Sequence, residues 1–175
     1  HKVGVIGTRG TLSSEKFTYL KKSLAHEATF VLQACDGLAH AIELSATPEE
    51  NSQEIKGLCK KYLRRMGEFG TSENQMDVLV LGCTHYVFAK EILQALTGPN
   101  VTLIDTGRPV AVHARRLLRA TNLLLNEKDS AVEPIKGTNE ENVRLFTTGA
   151  LGVLQSATQR WLQLPDSCCE IASIP

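Results

Sequence analysis

The 175-residue chain lacks an excess of charge of either sign: 19 basic residues balance 19 acidic ones. Nucleic acid and acidic membrane surfaces call for a basic footprint, so neither is expected as a partner. The clusters Lys60-Lys61, Arg64-Arg65 and Arg115-Arg116 fall in helical patterns and read as solvated faces. No apolar run approaches the roughly 18 residues that a membrane span needs. No secretory signal opens the sequence, because His1-Lys2 leads straight into an apolar strand. A Met is also missing at position 1, and a fragment or processed chain is expected. The five cysteines are scattered and odd in number, which argues against a disulfide framework and for a reducing cytoplasm. There is no internal repeat.

What remains is an ordinary globular composition, 42% apolar and 22% charged. Five short apolar, β-rich runs stand out at 3–6, 29–34, 78–81, 101–104 and 143–146. Near-continuous apolar runs suit strands buried on both faces. Helical periodicity fills the intervals. Phe17, Leu20 and Leu24 share a face that Ser13 or Ser14 can cap. Ile55, Leu58, Cys59, Tyr62, Leu63 and Met66 form an unbroken stripe. Phe88, Ile92 and Leu96 follow the third strand; Val110, Ala114, Leu117, Leu118 and Thr121 follow the fourth; Leu154, Ala157, Trp161 and Leu164 close the series. The alternation predicts an α/β fold with an open, doubly wound parallel sheet, whose ligands bind at the carboxyl ends of the strands. Residues 126–142 read as a polar surface loop. The tail from Pro165, with its vicinal Cys168-Cys169, is expected to fray, and no second ligand pair stands nearby to make it a metal site.

Cys83 lies between the third strand and a helix. Free N–H groups and the helix dipole at such a place favour a thiolate; the plainer reading is a small buried hydrophobe. Gly82 lets the chain turn there. Thr84 offers a hydroxyl and an N–H to an anion, and His85 offers an imidazole as proton partner. Cys59 belongs to the helix stripe and reads as core. Cys35, at the end of the second strand, either faces the same crevice or is a structural terminus. Glu43 is either a solvated helix residue or a carboxylate that orients a histidine. Thr8 and Thr11, in Gly7-Thr8-Arg9-Gly10-Thr11, suit a carboxylate or simply cap a helix; the turn lacks the Lys and spacing of a P-loop.

Taken in order, Gly7-Thr8-x-x-Thr11, Ala34-Cys35-x-x-Leu38-x-x-x-x-Glu43, Leu81-Gly82-Cys83-Thr84-His85-Tyr86 and Ile104-Asp105-Thr106-Gly107 resemble bacterial glutamate racemase, of the aspartate/glutamate racemase family. The resemblance runs over residues 2 to about 120 and weakly to Leu164, through Phe146-Thr147-Thr148-Gly149. It implies a two-lobed enzyme that interconverts L- and D-glutamate without a cofactor or metal and supplies D-glutamate for peptidoglycan. In such an enzyme two cysteines face opposite sides of the substrate α-carbon. By similarity Cys83 is the second of them, His85 and Glu43 assist it, and Thr84, Thr8 and Thr11 contact the substrate. Residues 1–105 match the second lobe, and 106–175 the stretch returning to the first.

The sequence departs from the family pattern in three places. Val87 stands where Pro usually follows Cys-Thr-His-Tyr, and Asp36 where Pro usually follows the earlier Cys. The Asp-Ser-Gly and Cys-Asn-Thr segments, the latter carrying the first catalytic cysteine, have no counterpart. The chain is therefore expected to be inactive alone, and residues 106–175 to pair with a second copy or to be partly disordered. The partner implied is glutamate, with a homodimer possible. Two alternatives stand beside this reading: a relative acting on aspartate, a hydantoin or an arylmalonate, and a non-catalytic single-lobe binding module.

Overall fold

A computed structural model describes residues 2–44, 52–124 and 143–173. The loop expected at 126–142 lies outside the described residues. The chain divides into two units, His1–Ala114 and Arg115–Pro175.

The first unit is built on a four-stranded, wholly parallel sheet in the order β2-β1-β3-β4. Its strands are β1 (Lys2–Gly7), β2 (Thr29–Ala34), β3 (Val78–Gly82) and β4 (Thr102–Ile104). This is the parallel α/β fold that the alternation predicts. The chain turns back from edge strand β2 and crosses to β3 on the other side of β1. The switch point of the sheet therefore falls between β1 and β3, where an open parallel sheet leaves a crevice at its carboxyl edge.

Helices α1 (Arg9–Ser13) and α2 (Glu15–Ser23) follow β1. Ser14 caps α2 by accepting from the Phe17 N–H, as the sequence allows. Helix α3 (Leu38–Leu44) follows β2, and α4 (Ser52–Met66) leads toward β3. The predicted stripe of α4 is its buried face apart from Leu58, which is half-buried: Ile55, Cys59, Tyr62, Leu63 and Met66 are all in the core, against β2, α3 and α5 (Lys90–Thr97).

Helix α5 corrects the sequence reading. Its stripe was expected at Phe88, Ile92 and Leu96, yet the buried residues are Ala89, Leu93 and Thr97. The cause is the preceding segment. Thr84–Ala89 winds as a 3-10 helix, whose tighter turn rotates the face that α5 turns to the core. Thr97, polar and buried, is accommodated because its hydroxyl donates to the Leu93 carbonyl at 2.9 Å.

Helix α6 (Gly107–Ala120) carries the predicted apolar stripe but buries none of its residues; Val110, Leu117 and Leu118 are exposed. The unit division falls within it.

The second unit holds β5 (Leu145–Thr147), α7 (Leu151–Leu162) and β6 (Cys169–Ile171), with β5 and β6 paired in parallel. The expectation of a frayed tail is overturned for residues 165–173. Cys168 and Cys169 are buried, Cys169 donates through sulfur to the Thr158 hydroxyl at 3.5 Å, and Arg144 pairs with Glu170 across the strands. A three-residue strand has too little alternation to be read from sequence. No helix among the described residues is long and apolar enough to cross a membrane.

Candidate active site

The strand register sets three residues side by side. Gly7 of β1 is the Cα partner of Ala34 on one side and of Gly82 on the other. The next residues along, Thr8, Cys35 and Cys83, therefore form a row across the carboxyl edge of β2, β1 and β3. Adjacent strands lie about 4.8 Å apart, so Thr8 stands one strand spacing from each cysteine. Gly82 makes the close approach possible: a Cβ at this position would lie 2.9 Å from the Ile6 carbonyl oxygen.

Cys83 itself is half-buried, and its Sγ lies 3.8 Å from Nδ1 of His85, also half-buried. Thr84 is exposed. Cys83 is thus the thiol of the row that solvent reaches. Cys35 is 3% exposed, and burial pushes its thiol up to about 12. Cys59 is likewise buried, its thiol pushed up to about 11. Of the open readings for Cys35, the structural terminus matches this burial.

Thr8 caps α1 by accepting from the Thr11 N–H at 3.2 Å, and its hydroxyl lies 2.9 Å from that of Thr11. Glu43 sits on α3, exposed. Helix α3 packs against the 3-10 segment that carries His85, but among the described residues no hydrogen bond or ion pair joins Glu43 to His85. The fold therefore groups Thr8, Thr11, Cys83, Thr84 and His85 and leaves Glu43 on a neighbouring helix.

Four further residues shape this edge and went unnoticed as a group in the sequence. Tyr86 is fully buried, and its hydroxyl donates to the Cys35 carbonyl at 3.3 Å. The Tyr62 hydroxyl donates to the Asp36 carbonyl at 2.7 Å. Burial raises the pKa of both phenols, which keeps them protonated donors. A tyrosine inside an apolar stripe is the one available sequence signal, since a buried hydroxyl needs a partner. Lys90 donates to Asp105 at 2.7 Å, and Asp105 also accepts from the Gly107 N–H at 3.1 Å. The Lys90 hydrogen bond holds the Asp105 carboxyl below its ordinary value.

Cavities lie elsewhere in this unit, among them a small one of about 260 Å³ between Lys60, Arg64, Phe69 and Leu96. One of about 540 Å³, lined by Lys2, Thr29, Ser72, Asn74, Gln75 and Asp77, opens at the amino end of the strands, away from the ligand edge of a parallel sheet. One of about 700 Å³ lies beside Val87, Lys90, Glu91 and Gln94. Among the described residues no group of three or more His, Cys, Asp or Glu side chains is placed to hold a metal ion.

The chain is 38% identical over 122 residues to a glutamate racemase of Herpetosiphon aurantiacus, a match covering 70% of this chain and 45% of that protein. A glutamate racemase of Methylococcus capsulatus is 36% identical over 131 residues, 75% of this chain and 45% of its own length. The chain is a relative of the glutamate racemases. It spans less than half the length of these curated relatives. No family model matches it. Among solved structures, glutamate racemase isoform RacE1 from Bacillus anthracis superposes with a TM-score of 0.75 at 24% identity, covering 99% of this chain and 58% of that one. The glutamate racemase of Francisella tularensis, solved with D-glutamate, gives a TM-score of 0.73 at 23% identity, covering 98% and 57%. Both likenesses bear on the fold, and both extend it across nearly the whole glutamate-racemase-like chain.

Proposed function

We propose that this chain is the Cys83-bearing part of a cytoplasmic glutamate racemase, an isomerase that moves the α-proton of glutamate between two thiols and so supplies D-glutamate for the cell wall. The observation that carries the reading is the row Cys35–Thr8–Cys83, with Cys83 open to solvent and its sulfur beside His85 Nδ1. In this reading residues 1–105 are the second lobe of the enzyme and 106–175 the return to the first.

The chemistry asked of the site is severe, because an amino-acid Cα–H is a very weak acid. The Cys83 thiolate takes the proton, the bonding electron pair stays on the α-carbon, and a thiol on the opposite face delivers a proton there. His85 passes protons to and from Cys83, and Glu43 assists it after a shift of α3 or in the presence of substrate. Thr8, Thr11 and Thr84 hold the substrate carboxylate and so offset the developing charge. No cofactor is assigned. The other four cysteines are all buried, so none offers the opposing thiol, and the chain alone is expected not to racemise glutamate. Glutamate is the partner assigned, and a homodimer the assembly.

A chimera tests this: the part of the Methylococcus capsulatus racemase that has no counterpart here, joined to this chain. Circular dichroism of L-glutamate follows turnover. The reading expects sustained loss of signal with the chimera, none with this chain alone, and none with the Cys83→Ser chimera. A folded chimera that binds glutamate yet turns over aspartate, or nothing, would sink it.

A further inference from the structure

The positions next along from the row of Thr8 and Cys35 are Arg9 and Asp36, and their side chains form an ion pair. The pair spans the two turns that end β1 and β2, at the carboxyl edge where a ligand enters. Both partners are open to solvent, Arg9 at 75% and Asp36 at 53% exposure. Asp36 is set in place from below. Its carbonyl accepts from Tyr62, and the turn continues through Gly37, whose φ of +81° favours glycine. The guanidinium, two residues from the Thr11 hydroxyl, meets a carboxylate preset by the fold.

We propose that Asp36 competes with an incoming carboxylate for Arg9, so that the Arg9–Asp36 pair sets how tightly this edge holds an anionic ligand. The inference rests on the glutamate reading above and names a determinant of affinity within it. An arginine fork suits a carboxylate in two-point geometry, and Asp36 engages it through one nitrogen, Nη2. Exposed pairs of this kind are weak, which is what makes the exchange feasible: a ligand carboxylate replaces the Asp36 carboxylate at little cost. Thr8 and Thr11 then lie beside the ligand, and Asp36 is released to water.

The test is a titration of L-glutamate into the 175-residue chain, followed by amide shifts of Thr8, Arg9 and Thr11 in NMR spectra. The chain is compared with Asp36→Asn, Arg9→Met and the double variant, each checked for the parent fold by its spectrum. Asp36→Asn is expected to bind glutamate roughly two- to fivefold tighter, the range an exposed pair is worth. The gain should vanish in the double variant and shrink at about 0.5 M salt. If the parent binds glutamate and Asp36→Asn binds it no tighter, the competition is disproved while the substrate reading stands. A gain that survives in the double variant also overturns it, because Arg9 is then not the contested group. If none of the four proteins responds to glutamate, this inference is overturned, while the substrate reading is decided separately by the chimera, which restores the missing part of the site.

Discussion

The hydroxyl of Tyr86 donates to the carbonyl of Cys35, 3.3 Å away, and so ties the segment that carries Cys83 to the end of a strand two places across the sheet. The bond is buried, and its loss leaves the Cys35 carbonyl without that donor. The carbonyl keeps the Leu38 N–H as a donor, so Tyr86→Phe is expected to lower unfolding stability by about 0.5–1.5 kcal/mol, measured by urea denaturation. A variant as stable as the parent would show that the tie contributes nothing.

Thiol reactivity should divide the cysteines. Iodoacetamide near neutral pH is expected to label Cys83 first, with Cys35 and Cys59 protected until the chain unfolds. Their burial and thiols at about 12 and about 11 keep them protonated. Peptide mapping by mass spectrometry reads the order; Cys35 labelled before Cys83 would contradict it.

The same two thiols set an alkaline limit. Their folded-state pKa values lie above the ordinary 9.0, so the folded chain holds protons that the unfolded chain releases. Their contribution to stability is complete below pH 9 and declines as pH rises through the folded values. Cys59→Ala should therefore flatten the fall in stability above that pH, as followed by thermal melts across pH. An unchanged slope would count against the assignment.

Asp105 acts at the other end of the scale. Its pKa lies below the ordinary 3.8, chiefly through the Lys90 hydrogen bond. The stabilisation it gives is present above 3.8 and is lost as pH falls through the lowered value. Asp105→Asn and Lys90→Met should each soften the acid limb of the stability profile, as followed by thermal melts at acid pH.

Gly82→Ala places a Cβ against the Ile6 carbonyl, a backbone atom that cannot swing aside. An overpacking cost of about 1–3 kcal/mol is expected, together with displacement of Cys83. Denaturation and the alkylation rate of Cys83 measure the two effects separately.

Much of this architecture was legible before any coordinates. The apolar runs marked β1 to β4 because parallel strands are buried on both faces, and the α4 stripe named its own core residues, Tyr62 among them. Position also singled out Cys83. What the sequence hid was long-range or small. The buried face of α5 turned because a 3-10 segment precedes it. Strand β6 is only three residues long and is held by Thr158 and Arg144, neither of them a neighbour in sequence. The tyrosine hydroxyls of positions 62 and 86 find carbonyls 26 and 51 residues away, which no local pattern reveals. For Glu43 the sequence left a solvated residue and a histidine-orienting carboxylate both open, the resemblance favoured the second, and the fold leaves it exposed on α3.

The central place of β1 governs how this unit assembles. Val3 pairs with Phe30 on one side and with Val78 on the other. Of this unit's strands, β1 is made before the others, so it has one ladder satisfied early and the other open until most of the unit has been made. Pairings so distant in sequence slow folding, because the intervening loop must close before the contact rewards it. During translation the bare edge of β1 is a template for wrong partners. A chain halted before β3 is expected to stay associated with chaperones or to aggregate, and release of the Val78–Gly82 strand is the event that commits the unit to its native sheet.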